Sequence, residues 1–338
     1  MAEKWYRVSG KDSDIAISTR IRLARNLKGI PFPHIMSEEQ RSSLNQLVKS
    51  AAKSSSQLSK LNYLELGNVP KNELISMIER HIISPDFARS PKGKALLLSD
   101  DESISIMIGE EDHIRIQVMK QGLALDDAWN VADEIDSVLS MKLDYAFSDK
   151  LGYLTACPTN LGSAMRASVM VHLPASESDG SLRRISESIT KLGLTLRGMY
   201  GEGSGSKASI YQISNQETMG TTEKDTIKKL EGIISQISNI ERQGRTRFLS
   251  SEDAEDSIWR SLGLLKTARK LSGDEFCSLY SAVRLGVAAG KLDSITLDKL
   301  SELFINVQPA TLMCIEKKDL SPAERDRVRA QMVRDALN

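Results

Sequence analysis

The chain has 338 residues, enough to bury a large core, and we expect it to form two domains. Its 45 Lys and Arg residues balance its 45 Asp and Glu residues, so no overall charge favours nucleic acid or a membrane surface. The three cysteines are far apart, and the four histidines lack metal-ligand spacing, which argues against a disulfide framework or a zinc site. A polar N-terminus and the lack of a long apolar stretch predict no secretory signal and no membrane span, so we expect a reduced, cytoplasmic protein.

The first part of the chain mixes helical and strand patterns. Apolar residues at helical spacing predict helices over 37–60, after Pro70, over 123–141, over 181–192 and over 222–243. Alternating apolar residues over 95–119 predict a β-hairpin, whose turn is Gly109-Glu110-Glu111-Asp112.

From Ser250 onward the pattern is helical throughout. Helices are expected through Ile258, Leu262, Leu265, Ala268 and Leu271, from Gly273, after Thr296, and after Ser321. The last of these begins with Ser321 as N-cap, Pro322 at the first helical position and Glu324 at the third. This change of pattern predicts a separate helical domain over 249–338.

Residues 157–173 form the most distinctive segment. Cys157 precedes a proline, a polar Thr159-Asn160 pair and a glycine turn follow, and Arg166 opens a strand. Apolar and polar residues alternate along that strand, which places Arg166 on its polar face. A thiol and an arginine held by a rigid sheet are more than packing requires, so we interpret the segment as functional.

This segment resembles the phosphagen (guanidino) kinases, ATP-dependent enzymes that phosphorylate creatine or arginine. Three further motifs carry the resemblance, namely STRIRLARN at 18–26, GEEDHIRIQVM at 109–119 and LRGMYGEGSGSKASIYQISN at 196–215. They follow the family's order, and the match spans roughly residues 14–245. The resemblance implies an α/β (α+β) fold, in which residues 1–248 form a catalytic domain with a mostly antiparallel sheet flanked by helices.

Both ends depart from the small-molecule kinases. Those enzymes carry a helical N-terminal domain of about a hundred residues before the first arginine motif, whereas 18 residues precede Thr19 here. Beyond Arg247 there is a segment that they lack. The combination resembles the bacterial protein-arginine kinases, which phosphorylate arginine side chains in proteins. We therefore expect a guanidino site open to a protein surface, and a C-terminal domain for dimerisation and phosphoarginine binding.

The resemblance also implies a nucleotide site. Arginine suits phosphate because its guanidinium is always charged and binds oxygens bidentately. The family's ATP-phosphate arginines correspond to Arg20, Arg22, Arg115, Arg166 and Arg197. His81 falls where the family stacks a histidine on adenine, although a structural role on a helix face stays open. The glycine-rich stretch 201–209 lacks the P-loop pattern, because Ser206 precedes Lys207, and is typical of a flexible lid.

The acceptor chemistry requires a base. The pKa of a guanidinium lies so far above neutral pH that removing its proton at pH 7 costs on the order of 9 kcal/mol. The proton must therefore leave as the N–P bond forms. The resemblance matches Glu111 to the catalytic carboxylate, Cys157 to a reactive cysteine that contacts the guanidino group, and Glu202 to a second carboxylate. Asp112 could share the role of base, and the sequence leaves that choice open.

The last predicted helix carries a paired basic motif. Arg325 and Arg329 share a face, where like charges cost a few tenths of a kcal/mol unless an anion lies between them. The segment resembles the Arg-Asp-x-x-Arg-Ala motif with which protein-arginine kinases bind phosphoarginine away from the active site. Asp326 would then receive the ligand's guanidinium. A solvated basic helix face is the alternative.

We predict an ATP:protein-arginine phosphotransferase, with Mg²⁺ held by the ATP phosphates and water rather than by protein ligands. The resemblance also implies allosteric control, a homodimer, an activator protein, the Clp protease machinery, and roles in protein quality control and the stress response. The substrates would be proteins with exposed arginines. Two alternatives stay open: a small-molecule kinase for arginine or creatine, and a non-catalytic phosphoarginine-binding regulator.

Overall fold

The structure, a computed structural model, describes residues 3–199 and 207–338. The helices are α1 (Glu38–Lys53), α2 (Lys71–Glu79), α3 (Pro85–Arg89), α4 (Leu125–Ser140), α5 (Pro174–Ser178), α6 (Leu182–Thr190), α7 (Glu223–Phe248), α8 (Glu252–Thr267), α9 (Gly273–Ala288), α10 (Leu297–Asn306), α11 (Pro309–Glu316) and α12 (Pro322–Leu337). The strands are β1 (Ala16–Arg25), β2 (Asn62–Glu65), β3 (Ala95–Leu98), β4 (Ile104–Ile108), β5 (Ile114–Gln121), β6 (Phe147–Ser148), β7 (Gly152–Tyr153), β8 (Met165–His172), β9 (Leu194–Gly198) and β10 (Ile210–Asn215).

The main sheet runs in the order β2-β3-β4-β5-β1-β8-β10-β9, with antiparallel pairing between each pair of neighbours. One face of this sheet is apolar and fully buried, as Ile21, Ile116 and Val169 illustrate. Helix α4 packs on that face against β1 and β5, and α7 packs against β8. The predicted α+β fold with an antiparallel sheet and a helical C-terminal part is confirmed.

The C-terminal helices cover part of the other face of the sheet. Their core, which includes Phe276, Tyr280 and Phe304, is continuous with Ile17 and Met170 on the central strands. The sequence predicted that the Arg166 face of β8 would be polar, but its distal half is buried because these helices lie on it.

His172, for which the sequence offered no explanation, lies in this contact between the sheet and the C-terminal helices. Its Nε2 is 2.9 Å from the hydroxyl of Ser281 on α9. Burial and the nearby charges of Arg245 and Arg284 hold the pKa of His172 well below its ordinary value, so the ring stays neutral. We interpret His172 as a packing residue between the two parts of the chain.

A second contact joins α11 to α2. The carboxylate of Glu79 accepts hydrogen bonds from the backbone N–H groups of Ala310 and Thr311, at 3.0 and 2.7 Å, and from the Thr311 hydroxyl at 2.8 Å. Glu79 thus satisfies donors at the start of α11, which no residue within that helix can pair. Across the described ranges, none of the helices combines the length and apolar character needed to cross a membrane.

Candidate active site

The five predicted phosphate-binding arginines lie on one face of the sheet. Arg22 of β1 is directly opposite Arg166 of β8, and Ala24 is opposite Arg115 of β5. Arg197 of β9 lies on the same face, because it is opposite Gln212 of β10, which is itself opposite Met170 of β8. Residues opposite each other in antiparallel strands share a face. Strand pairing therefore gathers side chains that are up to 177 positions apart, between Arg20 and Arg197.

Two cavities open on this face and share their arginines. One, of about 230 Å³, is lined by Glu111, Arg115 and Cys157 together with Arg22 and Arg166. The other, of about 210 Å³, is lined by Arg20, Arg22, Arg166, Arg197 and His81. Arg22 and Arg166 line both cavities. These two cations therefore connect the cavity that contains Glu111 and Cys157 to the cavity that contains Arg197 and His81.

The arginines repel one another. Burial, with Arg115 and Arg166 close by, lowers the pKa of Arg20 to about 10. Burial and these neighbours also hold the pKa of Arg22 well below its ordinary value. The Nε of Arg22 is buried and has no hydrogen-bond partner in the part of the chain that is described. Crowded cations with an unsatisfied donor are suited to binding a multiply charged anion.

The hairpin turn positions its two glutamates differently. The side chain of Glu110 is only 4% exposed; it forms an ion pair with Arg115 and accepts a hydrogen bond from Ser84. Glu111 is 46% exposed and lies 3.3 Å from the same guanidinium while lining the first cavity. Burial, together with the charges of Asp112 and Glu110, raises the pKa of Glu111, and Arg115 opposes this shift. The sequence analysis did not identify Glu110 as a site residue, although the Glu110-Glu111 pair in the turn could have indicated it.

Asp112 lies beneath the site and does not line either cavity. It is fully buried, and its Oδ1 accepts hydrogen bonds from the Asn26 side chain at 2.7 Å and the Ala156 backbone N–H at 2.8 Å. These bonds tie the hairpin turn to β1 and to the segment just before Cys157. Of the two candidate bases, the geometry therefore places Glu111 where a substrate could reach it.

The loop that carries Cys157 is held by short contacts. The Cys157 thiol is 3.0 Å from the Thr159 hydroxyl. The hydroxyl of Thr218 donates to the carbonyl oxygens of Thr159 and Leu161, at 3.1 and 2.6 Å, and Thr218 itself lines the cavity. No sequence pattern identified Thr218, because its role depends on where the segment after β10 meets the loop.

His81 lines the second cavity, but it does not lie on a helix face as one sequence interpretation had it. It lies two positions after Glu79, the last residue of α2, in a turn with a φ of 60°. Its carbonyl accepts a hydrogen bond from the Gln117 side chain at 2.8 Å. Burial and the charge of Arg20 lower the pKa of His81 to about 4, so a neutral ring faces the cavity. Glu202, the predicted second carboxylate, lies outside the described residues.

Among residues 3–199 and 207–338, no group of three or more His, Cys, Asp or Glu could hold a metal ion.

The C-terminal motif has a more buried setting than the sequence suggested. Arg329 is buried and donates to the carbonyl oxygens of Val307 and Leu271, at 3.1 and 2.8 Å, and to Asp326 at 2.9 Å. Arg325 is half-buried and donates to the Leu320 carbonyl oxygen at 3.2 Å. The two arginines are therefore not equally available to a ligand.

Comparison with known proteins gives two family matches along the chain. Residues 43–244 match the ATP:guanido phosphotransferase C-terminal catalytic domain, and residues 251–338 match the protein-arginine kinase McsB C-terminal domain. The chain is 44% identical to the protein-arginine kinase of Halothermothrix orenii over 99% of its own length and 96% of that protein. It is 43% identical to the protein-arginine kinase of Clostridium novyi, over 99% of its own length and 98% of that protein.

Solved structures show the same fold. The duplicated taurocyamine kinase of Schistosoma mansoni, with bound transition-state analogue components, matches with a TM-score of 0.62 and 30% identity over 68% of this chain. This chain covers 33% of that duplicated protein. A lombricine kinase matches with a TM-score of 0.62 and 24% identity, over 70% of this chain and 68% of its own, which shows the fold alone.

Proposed function

The chain belongs to the protein-arginine kinases of the ATP:guanido phosphotransferase family, and on that premise we propose that it transfers the γ-phosphoryl group of ATP to arginine side chains in proteins. One observation carries the assignment of the site. Arg22 and Arg166 line both cavities, so a phosphoryl group between them would reach the nucleotide side and the acceptor side at once. The cavity with His81 and Arg197 would hold the nucleotide, and the cavity with Glu111 and Cys157 would hold the guanidino group.

Glu111 would act as the base. A guanidino nitrogen attacks the γ-phosphorus, the N–P bond forms as the bond to the bridging oxygen breaks, and ADP leaves. The proton of the attacking nitrogen passes to the Glu111 carboxylate, which its raised pKa makes a better acceptor than an ordinary glutamate. Asp112 would fix the turn instead of taking the proton.

The arginines would neutralise phosphate charge and align the reacting groups. Phosphoryl transfer depends chiefly on positioning and on stabilising charge at the phosphate oxygens. Arg20, Arg22, Arg115, Arg166 and Arg197 would share that work. Mg²⁺ would arrive with ATP, held by phosphate oxygens and water, and would supply further neutralisation of phosphate charge.

Mass spectrometry of an unfolded, arginine-containing protein after incubation with Mg-ATP tests the function. Samples are kept at near-neutral or alkaline pH because N–P bonds are labile in acid. We expect phosphate on arginine residues of the protein and little on free arginine or creatine. Transfer to the free compounds alone would identify a small-molecule guanidino kinase. Binding of phosphorylated protein without any transfer would identify a regulator.

The motif on α12 would be a second, phosphoarginine-binding site. Its support is the match of residues 251–338 to the family's C-terminal domain and the half-buried Arg325 near the acidic Asp326. Because Arg329 already donates to two carbonyl oxygens, Arg325 is the safer residue to change. Calorimetric titration of phosphoarginine into the Glu111→Gln protein, with and without Arg325→Ala, tests it. Absence of saturable binding, or binding unaffected by Arg325→Ala, would leave a solvated helix face.

Residues 1–248 and 249–338 stay as proposed domains, supported by family matches that end at 244 and begin again at 251. A homodimer, an activator protein, a link to Clp proteolysis, allosteric control, roles in quality control and stress, and a cytoplasmic location are likewise proposals. Each follows from family membership and not from a contact in this chain.

A further inference from the structure

Exposed apolar residues lie in segments that adjoin the lining of the proposed acceptor cavity. Leu151 is 43% exposed and Met219 is 50% exposed, and Pro158 is exposed between Cys157 and Thr159, which both line the cavity. A single exposed apolar residue is ordinary on a protein surface. These three differ because they come from separate segments that meet at one loop.

Gly162 is the meeting point of those segments. Its N–H donates to the Leu151 carbonyl oxygen at 2.8 Å. The Cα of Met219 lies 2.7 Å from the position that a β-carbon on Gly162 would occupy. Thr218, the neighbour of Met219, lines the cavity and bonds to the loop that contains Pro158. The backbone segments of Leu151, Pro158 and Met219 therefore meet around Gly162, and these three exposed residues are here called the apolar rim.

The rim has a fixed backbone. The segment before Gly162 bonds to Thr218, and the segment of Leu151 bonds to Gly162 itself. A further exposed aromatic, Phe147, packs its ring 5.2 Å from that of Tyr153, and the backbone of Tyr153 bonds to Gly162. Apolar groups on a rigid surface bind partners at lower entropic cost than groups on a mobile loop.

We infer that the apolar rim binds apolar side chains that flank the target arginine in the substrate polypeptide. This inference rests on the proposed function. A cavity of about 230 Å³ has room for the end of an arginine side chain, so the rest of the polypeptide must lie across the walls of its opening. Apolar neighbours of the arginine would lose contact with water against Leu151, Pro158 and Met219, which favours binding.

Two peptides test the inference. Both carry one central arginine; in the first it is flanked by leucine and valine, and in the second by serine and glycine. Initial rates of phosphorylation with Mg-ATP give kcat/KM for each. We compare the parent enzyme with the Leu151→Ser/Met219→Ser double variant. Met141→Ser is the matched control, because Met141 is also exposed but directly follows α4, which packs on the opposite face of the sheet.

The parent enzyme and Met141→Ser are expected to prefer the apolar-flanked peptide by at least ~5-fold, a modest gain for partly buried side chains. The double variant should bring that ratio to about one. Equal kcat/KM for the two peptides with the parent enzyme would contradict the inference that the apolar rim binds apolar side chains. A preference that survives in the double variant would contradict it as well. If the parent phosphorylates neither peptide nor an unfolded protein, the proposed function is wrong, and the inferred role of the apolar rim is then wrong too.

Discussion

Glu111 and Asp112 are adjacent in sequence and have opposite environments. Glu111 lines the acceptor cavity beside Arg115, whereas Asp112 is fully buried and accepts two hydrogen bonds that hold the loop before Cys157. A base must reach the proton that it removes. Exposure therefore separates two carboxylates that the sequence could not tell apart.

Glu111→Gln should lower kcat by at least ~100-fold, the usual size of a general-base contribution. ATP affinity should stay close to that of the parent, because the nucleotide cavity does not include Glu111. Steady-state rates and calorimetric ATP titration measure the two quantities. Glu39→Gln, an exposed glutamate of α1, is the control. Near-normal turnover of Glu111→Gln would remove Glu111 from the role of base.

The raised pKa of Glu111 also sets the sign of the pH dependence. The carboxylate must be ionised to accept a proton, so kcat/KM should fall as the pH drops through this pKa. Because that pKa lies above the ordinary glutamate value, the loss should begin at a higher pH than for an unshifted glutamate. The residual activity of Glu111→Gln should lack this acidic limb. The same limb in both proteins would mean that another group titrates.

Arg22 is expected to be unfavourable for stability until an anion binds. It lies opposite Arg166, and its buried Nε lacks a partner among the described residues. Arg22→Met should therefore raise the melting temperature of the ligand-free protein by roughly 1–2 °C, the shift expected for about 1 kcal/mol in a chain of 338 residues. It should also abolish the further rise that Mg-ATP causes. Arg183→Met, an exposed control on α6, should change neither value. A destabilised Arg22→Met protein would contradict this account.

Among the helices and strands, capped and amphipathic segments could be predicted from the sequence. The capping boxes at Ser37 and Ser321 are both present, at the starts of α1 and α12. Helix α11 was missed because it has no side-chain cap and is largely apolar, so it lacks the polar positions that mark a helical period. The helix expected through Leu271 ends at Thr267, because the backbone N–H of Leu271 bonds instead to Asp326.

The composition of the site could be predicted only in part. Alternation along β1 places Arg20 and Arg22 on one face, but one chain's pattern does not reveal which strand lies beside it. Family resemblance supplied the other arginines. Glu110 and Thr218 escaped prediction because their roles depend on contacts between segments that are distant in sequence.

Gly162 holds the loop of Cys157 against the segment of Thr218. Its φ is +98°, and a β-carbon there would lie 2.1 Å from the Thr218 carbonyl oxygen. Gly162→Ala should displace the Cys157 loop, destabilise the protein by at least ~1–3 kcal/mol, and reduce activity. Gly180→Ala is the control, since its φ is +72° but no atom lies within 4 Å of its β-carbon position. Denaturant unfolding and initial rates should separate the two variants; equal effects would mean that backbone strain alone is responsible.

Across the whole chain, the C-terminal helices reach the proposed nucleotide cavity through α2. The contact with α11 begins at Glu79, the last residue of α2, and His81 follows two positions later with its ring at the cavity. The carbonyl of Val307, just before α11, accepts a hydrogen bond from Arg329 on α12. One continuous set of contacts therefore runs from the motif on α12 to the proposed nucleotide site.

Glu79→Gln tests whether that contact positions His81. An amide keeps the size of the side chain but loses the charge that pairs with the donors of Ala310 and Thr311, so α11 should dock less firmly. The cost should resemble the loss of a helix cap, about 0.5–2 kcal/mol. If α11 fixes the turn of His81, the KM for ATP should rise by ~3-fold or more while kcat changes little, because Glu111 and Cys157 are untouched. Glu134→Gln, an exposed glutamate of α4, should leave both quantities unchanged. A lower melting temperature with an unchanged KM for ATP would make Glu79 a stabilising residue that does not influence the nucleotide site.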